Sequence, residues 1–245
     1  MKKIPLSLQT YSLRDDMKAD FARTVAEVGK IGFAGVELAS HRDFDQNALK
    51  SAIESAGLKV SGMHLSYVQL TTDLNAAISD ALFFGTKHII CSWWPWTHFN
   101  SGAACQNIGE KLAAVGAGMR DCGIQFSFHN HAREFQIVDG RSVFDWILSA
   151  AAPRDLMAEP DVYWVNKGGY SPAKFLREKG DRCRLIHLKD EKEIGGGPVD
   201  FAEVFSVAEA IGAVEWYVVE QEWYSSSPIE SVRRSFEQLK AWGKV

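Results

Sequence analysis

The chain has no long apolar run, no cluster of Lys and Arg, no CxxC pair, and no glycine in the turn after its first strand-like segment. Each absence removes a class of protein. A transmembrane helix needs about 20 consecutive apolar residues, so no membrane span is expected. The start, Met1-Lys2-Lys3-Ile4-Pro5, is charged, but Gln9, Ser12, Arg14 and Asp15 interrupt the stretch after it. No signal peptide is therefore expected, and the cytoplasm is the default location. Cys91, Cys105, Cys122 and Cys183 read as free thiols of a reducing compartment. A net charge of -4 and a pI near 6.0 argue against a protein that grips a phosphodiester backbone, so no nucleic-acid partner is expected.

What is present is rhythm. Short β-branched runs alternate with segments of helical period. The strand candidates are Ile4–Gln9, Gly35–Leu38, Leu58–His64, His88–Cys91, Ile124–His129, Leu156–Asp161, Arg184–Leu188 and Trp216–Glu220. The first helix is read from Phe21 to Ile31, where Phe21, Val25, Val28 and Ile31 recur at three- and four-residue steps. Gly32, Gly57, Gly85, Gly123 and Gly212 stand just before strands, where helices end. Regular βα alternation implies parallel strands. Eight units in 245 residues point to an α/β fold, a closed (β/α)8 TIM barrel, as a single domain over 1–245. A doubly wound sheet is disfavoured because Gln9-Thr10-Tyr11-Ser12-Leu13 contains no glycine to cradle a phosphate. Gly195-Gly196-Gly197 follows no strand directly and reads as a flexible loop.

In such barrels the chemistry sits at the C-terminal ends of the strands. Those ends carry Gln9, Glu37, His64, Trp93, His129-Asn130-His131, Asp161, His187-Leu188-Lys189-Asp190 and Glu220-Gln221-Glu222. Carboxylates with a neutral imidazole form a mixed oxygen and nitrogen set for one divalent ion, Mn, Co, Mg or Zn. Asp161, His187 and Glu220 close successive strands, and neighbouring strands lie about 4.8 Å apart, so three tips can converge on one ion. Glu134 is the expected fourth ligand, folding back from the loop after strand five, with His129 next in order. Glu134 can instead pair with Arg133 or Arg141, and Asp161 can simply cap the following helix. Lys189 shares its direction with His187 and suits a substrate oxygen, or an ion pair with Asp190 or Glu191. Trp93, Trp94 and Trp96, with Tyr11, offer flat faces suited to a sugar ring; packed loops use such residues too. Gln9, Glu37, His64, Trp93, Trp96 and Lys189 are the expected substrate contacts.

At these residues the chain resembles the sugar phosphate isomerase/epimerase family with the xylose isomerase-like barrel. The likeness covers nearly the whole chain and rests on Ser7–Arg14, Gly32–Glu37, His129-Asn130-His131 with Glu134-Phe135, Asp161–Trp164, His187–Asp190 and Val219–Glu222. It implies one divalent metal and a small sugar or keto-sugar substrate; a homo-oligomer is compatible with it. Ketose 3-epimerases of the superfamily use two glutamates, an aspartate and a histidine as ligands. Asp161, His187 and Glu220 match three, whereas Ser127 and His129 stand where strand five of the epimerases has a glutamate. The His-Asn-His pattern is closer to inosose dehydratase and to lyases or hydratases of 3-keto-glycosides. All these reactions remove a proton next to a carbonyl and stabilise the enediolate. The base falls to His131, His129 or Glu220, and a general acid, where elimination needs one, to Lys189. A metal-dependent sugar isomerase or epimerase is the leading expectation, a lyase or dehydratase the second, and a non-catalytic sugar-binding barrel the third. Abasic-site endonucleases share this barrel, but their chemistry wants a basic groove.

Overall fold

The computed structural model describes residues 3–245, so Met1 and Lys2 of the charged N-terminal segment lie outside the described residues. Eight short strands form the core: β1 (Leu6–Gln9), β2 (Gly35–Ala39), β3 (Lys59–Leu65), β4 (His88–Cys91), β5 (Gln125–His129), β6 (Met157–Glu159), β7 (Leu185–Leu188) and β8 (Trp216–Val219). All neighbours pair in parallel, in the order β6-β5-β4-β3-β2-β1-β8-β7. Two isolated parallel bridges, Ala158 with Cys183 and Asp161 with His187, join β6 to β7 and close the barrel. The (β/α)8 expectation is met. The sixth strand stops short of its expected end because Pro160 has no N–H to offer a ladder. Its carbonyl still accepts the His187 N–H at 2.9 Å.

The strands are apolar on both faces, as parallel strands covered by helices must be. Ile89, Ile90 and Cys91 of β4 are fully buried, as are Ile186 and Leu188 of β7. The main surrounding helices are α1 (Arg14–Ile31), α2 (Gln46–Ser55), α3 (Tyr67–Thr72), α4 (Leu74–Phe84), α5 (Gly102–Arg120), α6 (Val143–Ser149), α7 (Val162–Lys167), α8 (Pro172–Lys179), α9 (Phe201–Ile211) and α10 (Pro228–Ala241). The helix expected from Phe21 is the second half of α1. Asp20 leaves helical geometry (φ -161°, ψ 90°), and its carboxylate accepts the Arg23 N–H at 3.0 Å. The chain therefore restarts its helix where the apolar period begins. Gly85 ends α4 at φ +73° and Gly32 ends α1 at φ +117°, conformations that side chains disfavour.

The two ends of the barrel differ in kind. At the N-terminal end, Glu215 accepts hydrogen bonds from Lys87 (3.0 Å) and His88 (3.2 Å), tying the start of β8 to that of β4. The hydrogen bond from His88 is the largest influence on its carboxyl, which is held down to about 2. At the C-terminal end, the Gly195–Gly197 loop is not loose. The Asp190 carboxylate accepts the N–H groups of Glu191 (3.0 Å), Gly195 (3.1 Å) and Gly197 (2.9 Å). A Cβ on Gly197 would fall 2.0 Å from Asp190 Oδ1, so glycine is required there. The backbone nest holds the chain's own carboxylate. No helix among the described residues is long and apolar enough to cross a membrane.

Candidate metal centre

Lateral register sets the site. His129, the last residue of β5, pairs with Glu159, the last residue of β6. Asp161 pairs with His187 across the β6–β7 seam, and His187 pairs with Val218, two residues before Glu220. Four neighbouring tips thus present donors side by side. From the opposite wall come Glu37 of β2 and His64 of β3. His187 Nε2 lies 2.8 Å from Glu37 Oε1, and its Nδ1 lies 3.3 Å from Glu220 Oε2. His64 Nε2 lies 3.0 Å from Glu37 and 2.8 Å from Glu159. Gln9 Nε2 donates to Glu37 Oε1 at 2.7 Å. All of these side chains are buried, His64 least completely.

The ligand atoms of His129, Asp161, His187 and Glu220 all lie within 4.8 Å of one another, as do those of His64, His129, Glu159 and His187. Asp161 fulfils both of its sequence readings. Its Oδ1 caps α7 by accepting the Trp164 N–H at 2.9 Å, while Oδ2 is buried with no partner. An unpartnered carboxylate oxygen among imidazoles is costly unless a cation meets it. The donor set therefore fits a divalent ion, and its mixture of nitrogen and oxygen suits a borderline one.

Glu134 stands apart from this set. Its Oε2 accepts the His131 N–H at 2.9 Å, capping the short turn Ala132–Phe135. It pairs with neither Arg133 nor Arg141, and the strand-five place among the donors falls to His129. Burial pushes the Glu134 carboxyl up to about 7. Lys189 pairs with Glu220 (3.3 Å) and Glu222 (2.8 Å) rather than Asp190 or Glu191. It is enclosed by the rings of Trp164 and Trp223.

The electrostatics divide the groups. Burial raises the Asp161 carboxyl to about 7 in spite of the Lys189 ammonium. Burial, then the neighbouring Glu37 carboxylate, raises Glu159 to about 7. Burial also works against charge on Glu37 and Glu220. The imidazoles of His64 and His187 nevertheless hold Glu37 well below the usual carboxylate range, and Lys189 with His187 does the same for Glu220. Burial opposes charge on His64 too, but Glu37 and Glu159 outweigh it and lift the ring to about 9. His131 is pushed down to about 4, chiefly by burial, so it is a neutral imidazole at physiological pH. Lys189 resists the lowering effect of burial because Glu220 and Asp161 raise it, so it stays an ammonium.

Above the donors lies a cavity of about 370 Å³, lined by His64, Trp93, His129, His131, Glu220 and Glu222 among others, with Tyr11 on its edge. Of the expected substrate contacts, His64 and Trp93 reach it. Gln9 and Glu37 lie beneath its floor, Lys189 is enclosed, and Trp96 sits outside under the Arg133 guanidinium. A larger groove of about 730 Å³ between Phe201–Ala210 and Trp242 is mainly apolar and holds none of the donors. Two residues escape a reading of the sequence. Glu159 lies two positions before Asp161 and so shares its side of the strand, a signal that the spacing does carry. Asn130 is fully buried, and its Oδ1 accepts the Asp161 N–H at 3.1 Å.

A family model described as a xylose isomerase-like TIM barrel matches residues 25–242. The structure of a sugar phosphate isomerase/epimerase from Parabacteroides distasonis ATCC 8503 superposes with a TM-score of 0.90 at 23% identity, covering 100% of this chain and 96% of that one. The IOLI protein with a bound zinc atom gives 0.77 at 11% identity, covering 98% and 99%. Apo 3-keto-D-glucoside 4-epimerase from E. coli gives 0.73 at 15%, covering 98% and 100%. These are likenesses of fold. No curated protein matches the chain.

Proposed function

The chain belongs to the xylose isomerase-like TIM barrel family, and from that premise we propose that it is a divalent-metal-dependent isomerase or epimerase of a sugar. The observation that supports this most is the meeting of His129, Asp161, His187 and Glu220 beneath a cavity of sugar size, with one Asp161 oxygen left bare. A cation held by these residues supplies Lewis acidity for a substrate carbonyl and its neighbouring hydroxyl.

The chain's own groups do the rest. His131 lines the cavity as a neutral imidazole whose Nδ1 has no partner, so it is placed to take a proton from the carbon next to the carbonyl. Glu220, kept ionised beside Lys189, is the second proton acceptor facing the same space. Lys189 positions Glu220 and Glu222 and adds positive potential behind them. Trp93 and Tyr11 offer apolar faces to a ring and limit the entry of water.

One feature favours a second reading, elimination from a keto-sugar or keto-inositol. The donor at the tip of strand five is the imidazole of His129, so Glu220 is the one carboxylate of the donor set that lines the cavity. The test is incubation of the manganese-loaded protein in D2O with ketohexoses and with 3-keto-glucosides, followed by NMR. Deuterium at the carbon next to the carbonyl with a new epimer or isomer supports the first reading. Release of the aglycone or of water supports the second. No exchange with either class of sugar, despite binding, leaves a sugar-binding barrel and overturns both.

A further inference from the structure

The barrel interior holds more donors than one ion needs. Beneath the set that includes Asp161 and Glu220 lies a deeper one, reached from β3, β5 and β6. We propose that His64, His129 and Glu159 form a second divalent-cation site, separate from the Asp161–His187–Glu220 site.

The ring nitrogens separate the two sites. His187 turns Nδ1 toward Glu220 and Nε2 toward Glu37, so its Nδ1 serves the outer site while Glu37 holds the ring from behind. His129 turns Nδ1 toward Glu159, 3.3 Å away, without the alignment of a hydrogen bond. His64 Nε2 approaches the same Glu159 oxygen at 2.8 Å. Two imidazoles thus converge on one carboxylate at the bottom of the cavity.

The second observation is what remains unpaired there. Glu159 Oε1 and Glu37 Oε2 are buried and have no hydrogen-bond partner. A Cβ at Gly62 would come within 3.0 Å of Glu37 Oε2, so the strand keeps a glycine where that carboxylate needs room. Two fully buried carboxylates side by side, each with a bare oxygen, call for positive charge between them. Two imidazoles with a carboxylate are the ligands of a catalytic zinc, with coordination positions left open. The deeper site therefore suits zinc or cobalt, and the oxygen-richer outer one suits manganese or magnesium as well.

The test counts ions. Full-length protein is stripped with a chelator, dialysed against Zn(II) alone, and its metal content is measured by mass spectrometry. Two ions per chain are expected, falling to one in Glu159→Gln, to one in Asp161→Asn, and to none in the double variant, with far-UV circular dichroism unchanged. Two ions retained in Glu159→Gln overturn the proposal. One ion in the wild type, kept in Glu159→Gln and lost in Asp161→Asn, overturns it but leaves the proposed function standing. One ion with the opposite pattern upholds the deep site and overturns the outer one. If Glu159→Gln does not fold, the wild type decides alone. Loaded with Mn(II), it should give the exchange-broadened paramagnetic resonance of a close pair, and the resolved hyperfine pattern of an isolated ion overturns the proposal.

Discussion

His187 and Glu37 meet across the barrel interior, 2.8 Å apart though 150 residues separate them in sequence. With Nε2 facing that carboxylate, Nδ1 is the nitrogen left for Glu220 and for a metal ion. The orientation of one ligand is thus fixed from the far wall.

Asp161→Asn should separate fold from ligation. Asparagine caps a helix about as well as aspartate, so the N-terminus of α7 is kept and the thermal midpoint should hardly move. Metal affinity should fall by more than about 100-fold, beyond the effect of losing an outer supporting group. Isothermal titration with Zn(II) beside a thermal melt checks both halves.

Asn130→Ala removes the acceptor of the Asp161 N–H at a fully buried position. An orphaned buried donor costs about 1–3 kcal/mol, which urea denaturation should register. Because the same bond orients Asp161, metal affinity should drop by about tenfold as well. Unchanged affinity would assign Asn130 to stability alone.

The gap in thermal midpoint between metal-loaded and metal-free protein should widen as pH rises. The metal-free Asp161 carboxyl is raised to about 7, so its favourable contribution is complete below the unfolded value near 4 and is lost as pH rises through about 7. A cation needs the ionised form and restores what deprotonation removes. Melts with and without Zn(II) from about pH 5.5 to about pH 8 track this, and a constant gap would contradict it.

Glu215 works the other way. Its pKa is depressed to about 2, so its contribution is present above the unfolded value of about 4.3 and lost as pH falls toward about 2. Glu215→Gln should lower stability at neutral pH and flatten the acid limb of the stability curve below pH of about 4.5, with metal content unaltered.

Asp190→Ala should release the glycine loop. Three backbone N–H groups lose their acceptor at once, so amide exchange at Glu191, Gly195 and Gly197 should quicken by at least about tenfold, the equivalent of ~1.4 kcal/mol. Hydrogen-exchange mass spectrometry reads this directly.

The barrel is legible in the sequence because parallel strands announce themselves as short apolar runs, and counting along them locates their tips. Asp161, His187 and Glu220 are found in that way. Glu159 is not, because it lies inside the run Met157–Asp161 and reads as strand interior rather than as a tip. Glu134 misleads because a turn of four residues, Ala132–Phe135, uses its carboxylate as a cap. Such a local hydrogen bond leaves no trace in spacing. The first half of α1 is missed because Arg14, Asp15, Asp16 and Lys18 hide its apolar period. The Gly195–Gly197 loop looks free because its partner, Asp190, precedes it outside any familiar motif. Trp96 has the right composition and neighbourhood for a sugar contact, yet only tertiary structure tells which of three nearby tryptophans faces the cavity.

Every other pair of neighbouring strands shares a ladder of three or more residues, whereas β6 and β7 meet at two single points. One of those points is Asp161 with His187. The ring is thus a belt whose buckle is the site itself. A cation held by both residues would fasten the least stitched joint of the barrel, so metal supply would govern how long the chain stays closed as well as what chemistry it performs. The stripped protein should open first along this seam, between the sixth and seventh strands, and the loaded protein last.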